Sequence, residues 1–332
     1  MNQTRTIGAS LAAVVAMTYG GLAHAIPSPG AVADAYLEVS NFYILAGNGA
    51  AGRSTTQLDV QTLANPLGAI VLNPVNTTAE VSGSLNGASM PLNKVVVGFG
   101  APLSITSSLG AGYVPYTRLT GDPGPSWVGA STSSTGNGVE LLSPINVPVE
   151  SQVSLDKFIS DGATNAYQNL QSTFSFTLTA GQLFELSFDA DGFLRTALGQ
   201  DHINANADYS WSASVDKINP TGPVTNVLGW SPDGFVGEGY NGTCRTAGTC
   251  TEYADAFAMT DAVGTLTKDG ESITNPAKGA FEMELFLAAG KYNFTISHNT
   301  HADAAIGVPE PTTLALLGLG MLGMGVKRRR KI

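Results

Sequence analysis

The chain has 332 residues, with 26 acidic side chains against 16 basic ones and a formal charge of −10 at neutral pH. An acidic surface repels polyanions, so this charge excludes nucleic acid as a partner. Glycine (39 residues) and proline (17 residues) are abundant. This turn-rich composition favours an all-β fold, and the length allows one large or two moderate domains.

The N-terminus has the three parts of a secretory signal peptide. Arg5 supplies a positive start, residues 7–17 are apolar, and Ala23-His24-Ala25 fits the small-residue cleavage site. We therefore predict a signal peptide over residues 1–25, read by the secretion machinery and removed by signal peptidase. Ile26 becomes the first residue of the mature chain.

The exported region, residues 26–300, is dominated by strand patterns. Strands are predicted over Ala35 to Leu45, Thr77 to Leu85, Lys94 to Phe99 and Tyr209 to Val215. Residues 102–148 are rich in Gly, Ser and Thr, which predicts either a subdomain boundary or a long surface loop. Short helices are predicted only at Thr164 to Gln171 and Tyr253 to Thr260.

Two pairs of alternating segments predict β-hairpins. The first turns at Ala180-Gly181, and the second turns at Ala288-Ala289-Gly290. The inward residues of the first pair are Phe174, Phe176, Leu178, Phe184, Leu186 and Phe188. Together these patterns predict an antiparallel β-sandwich, jelly-roll-like in topology, followed by a short stalk over residues 301–307.

The two cysteines, Cys244 and Cys250, predict one disulfide, because the exported region meets an oxidising compartment. The pair closes a short loop, and the chain-entropy estimate for such a loop is roughly 2 kcal/mol. The predicted disulfide therefore stabilises a local turn rather than the whole fold.

Two polar clusters are weak candidates for a metal. Asp189-Ala190-Asp191-Gly192 resembles part of a calcium loop, but Phe193 and Gln200 stand where oxygen ligands belong. A solvated strand end is the simpler interpretation, and calcium stays open as an alternative. His298 and His301 have helical spacing but fall near the predicted stalk. We predict no cofactor and no metal site.

Catalytic patterns are absent from the sequence. It has no G-x-S-x-G nucleophile elbow, and a disulfide would occupy both thiols. Carboxylates are too numerous for any pair to be singled out as a glycosidase dyad. Trp230 lies in a turn-rich stretch, where an exposed ring would suit a sugar, so it is a candidate glycan contact.

The C-terminus has three parts in a fixed order. Residues 308–311 are Val308, Pro309, Glu310 and Pro311, and the 15 residues from Thr312 to Val326 carry no charge. A basic cluster follows: Lys327, Arg328, Arg329, Arg330 and Lys331. As a helix the apolar stretch spans about 22 Å, which is short for a bilayer core of roughly 30 Å. A plain membrane helix is the alternative interpretation.

This tail resembles the PEP-CTERM sorting signal of Gram-negative bacteria over residues 308–332. The resemblance implies a short transmembrane helix that anchors the protein transiently in the inner membrane, and an exosortase that recognises Glu310 and its flanking prolines. It also implies a final location at the cell surface or in the extracellular matrix, with exopolysaccharide as a further partner.

We therefore expect a non-enzymatic surface, matrix or biofilm protein. A lectin-like carbohydrate-binding module is the second hypothesis, and a secreted hydrolase is the third. Because β-sandwiches host all three functions, fold class does not choose among them.

Overall fold

A computed structural model describes residues 30–47, 73–97, 103–119, 126–134, 146–155, 162–199, 203–235, 243–244, 250–266, 270–274 and 278–306. Within these ranges the chain is all-β, with 17 strands in two sheets whose neighbouring strands are antiparallel. None of the described residues forms a helix long and apolar enough to cross a bilayer.

Sheet A has eight strands. They are β1 (Ala31–Gly47), β5 (Leu103–Gly110), β6 (Trp127–Ser134), β7 (Val147–Leu155), β9 (Gln182–Leu198), β13 (Cys250–Asp255), β15 (Glu271–Thr274) and β16 (Gly279–Leu287). Their order is β13-β16-β9-β1-β7-β6-β5, and β15 also pairs with β9.

Sheet B has nine strands. They are β2 (Asn73–Leu85), β3 (Ala88–Ser89), β4 (Asn93–Val97), β8 (Gly162–Leu178), β10 (Ile203–Ile218), β11 (Thr225–Trp230), β12 (Thr243–Cys244), β14 (Thr260–Thr265) and β17 (Gly290–Ile306). Their order is β12-β11-β10-β17-β8-β2-β3, with β14 added to β10 and β4 added to β2.

The two sheets pack face to face around an aromatic core. Phe188 of sheet A lies 4.5 Å from Trp211 of sheet B, measured between ring centroids, and Phe176 of sheet B lies 5.3 Å from Phe184 of sheet A. The predicted alternation is confirmed, because every residue assigned to the inward face of the first pair is buried. The antiparallel all-β prediction is therefore confirmed, while the jelly-roll qualifier stays a prediction.

The two predicted hairpins are instead arches that cross between the sheets. β8 lies in sheet B and β9 in sheet A, and β16 and β17 are divided in the same way. The strands pair between arches, so that Leu178 is opposite Gly290 and Gln182 is opposite Leu287. Alternation could not reveal this, because the residues before and after a turn face the core in a hairpin and in an arch alike.

Both predicted helices are wrong. Residues 164–171 belong to β8, where they alternate between buried and solvent-facing positions, and residues 253–260 run from the end of β13 into the start of β14. The polar residues of the first segment gave it helical character in the sequence. Long pairing with β17 and β2 overrides this local preference.

The predicted stalk begins too early, because β17 continues to Ile306 in register with β8 and β10. The loop-like stretch 102–148 contains β5, β6 and the start of β7, which continue sheet A instead of marking a boundary. The signal peptide over residues 1–25 and the sorting tail over residues 308–332 lie outside the described residues.

We predict that Phe188→Ala lowers the free energy of unfolding by about 3–5 kcal/mol, because it empties the space between four aromatic rings. Those rings are Phe42, Trp211, Trp230 and Phe281. Chemical denaturation measures the change. Phe286→Ala is the matched control, since Phe286 on the neighbouring strand is 46% exposed, and it should cost less than about 1 kcal/mol. Equal losses in the two variants would contradict this account of the core.

Candidate functional site

The candidate site lies on the outer face of sheet A, where charged side chains interrupt apolar strands. Asp34 of β1 is directly opposite Arg195 of β9 and Gln152 of β7, and Glu150 lies two residues before Gln152. All four residues are buried, at 1% exposure or less. A segment that follows β5 covers them, and we call this segment, residues 111–119, the strap.

Carboxylates of the sheet bind backbone N–H groups of the strap. The Tyr116 amide donates to Glu150 Oε2 at 2.6 Å, and the Leu119 amide donates to Asp34 Oδ2 at 2.8 Å. Charge-assisted hydrogen bonds of this kind are about twice as strong as neutral ones. No strand that the structure describes pairs with the strap, and side chains of the sheet accept hydrogen bonds from these amides.

The carbonyl groups of the strap are bound by donors from the same sheet. Gln152 Nε2 donates to the Thr117 carbonyl at 2.6 Å, and Arg195 Nη1 donates to the Leu119 carbonyl at 2.6 Å. Arg195 Nε also donates to Glu271 of β15 at 2.8 Å. Arg195, Asp34 and Gln152 lie side by side on three neighbouring strands. Asp34 accepts a hydrogen bond from a backbone N–H group of the strap, and Arg195 and Gln152 donate to its backbone carbonyl groups.

Arg118 fixes the middle of the strap. Its guanidinium lies 5.2 Å from the ring centres of both Tyr36 and Phe193, and it forms an ion pair with Asp191 at 2.6 Å. Lys278 approaches the second carboxylate oxygen of Asp191 at 3.5 Å. Cation–π contacts and a partly buried ion pair act together at this position.

Tyr113 anchors the start of the strap by lying flat on a glycine. A Cβ atom at Gly129 would be 2.2 Å from the Tyr113 ring, so only glycine leaves room for the ring. The Tyr113 hydroxyl donates to Ser131 Oγ at 2.6 Å and lies 3.2 Å from Glu150 Oε2. The ring also packs on Trp127, with centroids 5.7 Å apart.

Burial dominates the electrostatics of the site. Burial raises the pKa of Asp34 to about 7, although the Leu119 amide and Arg195 favour the charged form. Burial and the neighbouring Asp34 carboxyl also raise the pKa of Glu150 well above its ordinary value. Burial raises the pKa of Tyr116 to about 12. Raised carboxyl pKa values are often found at functional sites, but they also occur in structural networks.

The strap covers the two carboxyl groups, and this limits the chemistry that they can perform. Asp34 and Glu150 are both fully enclosed, and their oxygen atoms contact protein backbone and side chains. A hydrolytic dyad must contact its substrate, and here the strap backbone takes the place of the substrate. In this conformation the site binds a segment of its own chain.

The outer face of sheet B is a second polar surface, and it is open to solvent. Asn169 of β8 donates to Asn299 of β17, and Asn299 donates to Ser210 of β10 at 3.1 Å. Two residues before Asn169 on β8, Tyr167 is 37% exposed and lies opposite His301 of β17. Amides and hydroxyls thus form a continuous row across three neighbouring strands, which we call the amide row.

Trp230, the candidate glycan contact, is buried in the core. It is 2% exposed, its indole N–H donates to Glu252 at 2.6 Å, and its ring packs edge-on against Trp211 at 5.5 Å. The turn-rich sequence around it suggested exposure, but Trp230 ends β11 on the inward face. It offers no ring face to a sugar.

The other candidate residues are separated. Asp189 and Asp191 point away from the core as predicted, and Asp189 accepts a hydrogen bond from Asn41 at 2.7 Å.

His298 is buried against Trp211, and burial lowers its pKa to about 3, whereas His301 faces outward and its hydrogen bond to Asp208 raises its pKa.

The two histidines face opposite sides of the sheet because residues three apart on a strand alternate. In the parts of the chain that the structure describes, no three His, Cys, Asp or Glu side chains are grouped to hold a metal ion. Calcium binding stays an untested alternative.

The strands that carry the two cysteines lie in different sheets. The backbone of Cys244 is opposite Leu228 in sheet B, and Cys250 is opposite Leu285 in sheet A. The Cys244 side chain lies outside the described residues, so the disulfide stays a prediction. If it forms, it joins the two sheets at one edge instead of closing only a local turn.

Sequence reasoning missed the four residues beneath the strap. A signal for them existed, because Asp34, Glu150 and Arg195 each interrupt an apolar run that reads as a buried strand. Charged residues are rarely buried unless they are paired. The sequence did not show that the three runs are neighbours, nor that residues 111–119 cover them.

We predict that Gly129→Ala displaces Tyr113 and loosens the strap, lowering the free energy of unfolding by about 1–3 kcal/mol. Faster tryptic cleavage after Arg118, located by mass spectrometry, measures the loosening. Gly229→Ala is the control, because among the described residues no atom lies within 4 Å of its added Cβ. Equal cleavage rates in the two variants would show that the strap does not depend on this close approach.

Comparison with known families gives one match, to the PEP-CTERM protein-sorting motif over residues 307–331. Comparison with curated proteins and with solved structures gives none. The matched residues include Val308 to Pro311 and the basic cluster, which confirms the resemblance drawn from the sequence. The chain therefore carries a PEP-CTERM protein-sorting motif, the signal of an exported protein that exosortase recognises and processes.

Proposed function

We propose that this protein is a non-enzymatic component of the cell surface or the extracellular matrix, in the setting of a biofilm. The observation that carries the proposal is the sorting motif over residues 307–331, which supports export and processing by exosortase. After processing, the folded body is released or attached outside the cell. Exopolysaccharide is the partner we propose for it there.

The charge of the body fits this location. Six of the 16 basic residues lie in the two predicted removable ends, so residues 26–311 hold 10 basic against all 26 acidic side chains. The resulting formal charge of −16 keeps the body soluble and repels acidic polymers. It favours neutral or cationic partners.

The packing of the body also supports a structural role. Two sheets share one aromatic core, and the strap fills the outer face of sheet A where charged residues are buried. The residues that might serve as acid, base or ligand contact other parts of the protein. A stable, closed sandwich suits a component that has to persist outside the cell.

We predict that wild-type protein recovered from the exterior lacks the basic C-terminal cluster, because exosortase removes the tail. Glu310→Ala should leave most of the protein in the membrane fraction with its C-terminal tail still attached, since it removes the charged residue of the motif. Intact-mass spectrometry of both fractions measures this.

Pro220→Ala is the control for this experiment, because it changes an exposed proline remote from the motif. Its mass and fractionation should match those of the wild type. External protein that still carries Leu322 and Arg329 would contradict processing and leave an ordinary tail-anchored protein.

A carbohydrate-binding role is the second candidate function, and the amide row supports it instead of Trp230. Amide and hydroxyl groups both donate and accept hydrogen bonds, as sugar hydroxyls do. Tyr167 offers a partly exposed ring beside the row, and aromatic faces pack against sugars. The acidic body makes a neutral polysaccharide the fitting ligand.

We predict that the double variant Asn169→Ala, Asn299→Ala weakens binding to a neutral β-glucan by roughly tenfold or more, at about 1 kcal/mol for each lost hydrogen bond. Affinity electrophoresis in a glucan-containing gel measures the change. Ser104→Ala, an exposed position on β5 of the other sheet, is the control. Absence of binding by the wild type would reject this function and leave the structural role.

A further inference from the structure

Two enclosed oxygen atoms beneath the strap have no hydrogen-bond partner among the described residues. They are Asp34 Oδ1 and Gln152 Oε1. Their residues are directly opposite each other on β1 and β7. Both atoms are acceptors when Asp34 is ionised, so two acceptors on facing residues are then buried, each without a donor among the described residues. Buried groups of this kind are costly and rare.

The orientation of the Gln152 amide is fixed by its neighbours. Nε2 donates one proton to the Thr117 carbonyl and one to Glu150 Oε1, both at 2.6 Å. A rotated amide would place its carbonyl oxygen against these same two acceptors, which repel it. Gln152 Oε1 is therefore an acceptor that needs a donor.

The two carboxyl groups differ in how their oxygen atoms are used. Both oxygens of Glu150 accept hydrogen bonds, Oε1 from Gln152 and Oε2 from the Tyr116 amide. Asp34 accepts only at Oδ2, from the Leu119 amide at 2.8 Å. The free oxygen of Asp34 is the one atom of the pair with room for a proton.

Charges from the surrounding elements favour one extra proton. Arg195 of β9 and Arg118 of the strap face Asp34, but they form ion pairs with Glu271 and Asp191 respectively. On β7 the facing group is Glu150, and repulsion by the Asp34 carboxylate raises the pKa of Glu150, so the pair resists a second negative charge. The strap also brings Tyr113 and Tyr116, whose pKa values burial raises, so both stay neutral.

We propose that Asp34 is a proton-binding site of the folded protein, in which a neutral carboxyl group donates from Oδ1 to Gln152 Oε1 and holds the strap on sheet A. Loss of this proton leaves a buried carboxylate under the strap and no donor for Gln152 Oε1. Opening of the strap admits water to the ionised carboxylate, so a rise in pH from about 4 to about 7 weakens the attachment of the segment.

The direction of the pH dependence follows from burial. The pKa of Asp34 is about 7 beneath the strap and lies near 3.8 in an exposed carboxyl. The docked strap thus binds more protons than the open one between these values. Docking is therefore strongest below pH 4 and weakens by up to about tenfold for each pH unit as pH rises towards 7. Above pH 7 both states are ionised, so this group changes docking no further.

Asp34→Asn provides a close test, because asparagine has the shape and donor pattern of the neutral acid. Its amide donates to Gln152 Oε1 while its carbonyl accepts from the Leu119 amide. On the full exported protein, hydrogen exchange of residues 113–119, corrected for intrinsic rates, should show protection that falls from pH 5 to pH 7 in the wild type and then levels off. In Asp34→Asn the protection should stay constant from pH 5 to pH 9.

Carbon-13 NMR of side-chain carboxyls measures the proton directly. The wild type should show one aspartate signal that titrates near pH 7, and this signal should be missing from Asp34→Asn. Asp189→Asn, a substitution on the same face but away from the strap, should keep it.

Titration of every wild-type aspartate below pH 5, or equal loss of strap protection between pH 5 and pH 7 in the wild type and Asp34→Asn, would overturn the proposal. The wild-type titration is decisive even if a variant folds poorly.

Discussion

The fold depends on how two arches share one core. Each arch sends one strand into sheet A and one into sheet B, and each strand pairs with a strand of the other arch. Their inward aromatic residues therefore meet across the space between the sheets, as Phe176 and Phe184 do. Burial of these large rings is the main favourable term, and the cross-pairing fixes which sheets are brought together.

The strap follows from that arrangement. With its inner face packed on sheet B, sheet A can bury a second set of residues only beneath its own connections. The connection after β5 lies across the outer face, and the buried charges there match its backbone groups. A segment that forms no strand is thus held by side-chain bonds as specific as those of a sheet.

The sequence correctly predicted which side chains face the core wherever apolar and polar residues alternate along a strand. Tyr209 and Trp211 face the core and Ser210 faces outward, as predicted. The sequence could not show which strands are neighbours, so arches were taken for hairpins and the residues beside Asp34 were not brought together. The prediction that Trp230 is exposed was wrong. Turn-forming residues follow it in the sequence, but Trp230 is the last residue of β11 and its side chain faces the core. The sorting motif needed no tertiary information, because a processing enzyme reads it as a linear signal.

The last strand has a mechanical consequence. β17 lies between β8 and β10 near the middle of sheet B and ends at Ile306, one residue before the matched motif begins. Tension on an anchored C-terminus therefore enters the centre of the sheet and runs along the strand. It loads the hydrogen bonds to both neighbours in shear over nearly the whole of β17 instead of unzipping them one by one, so the body resists extraction while the tail is held.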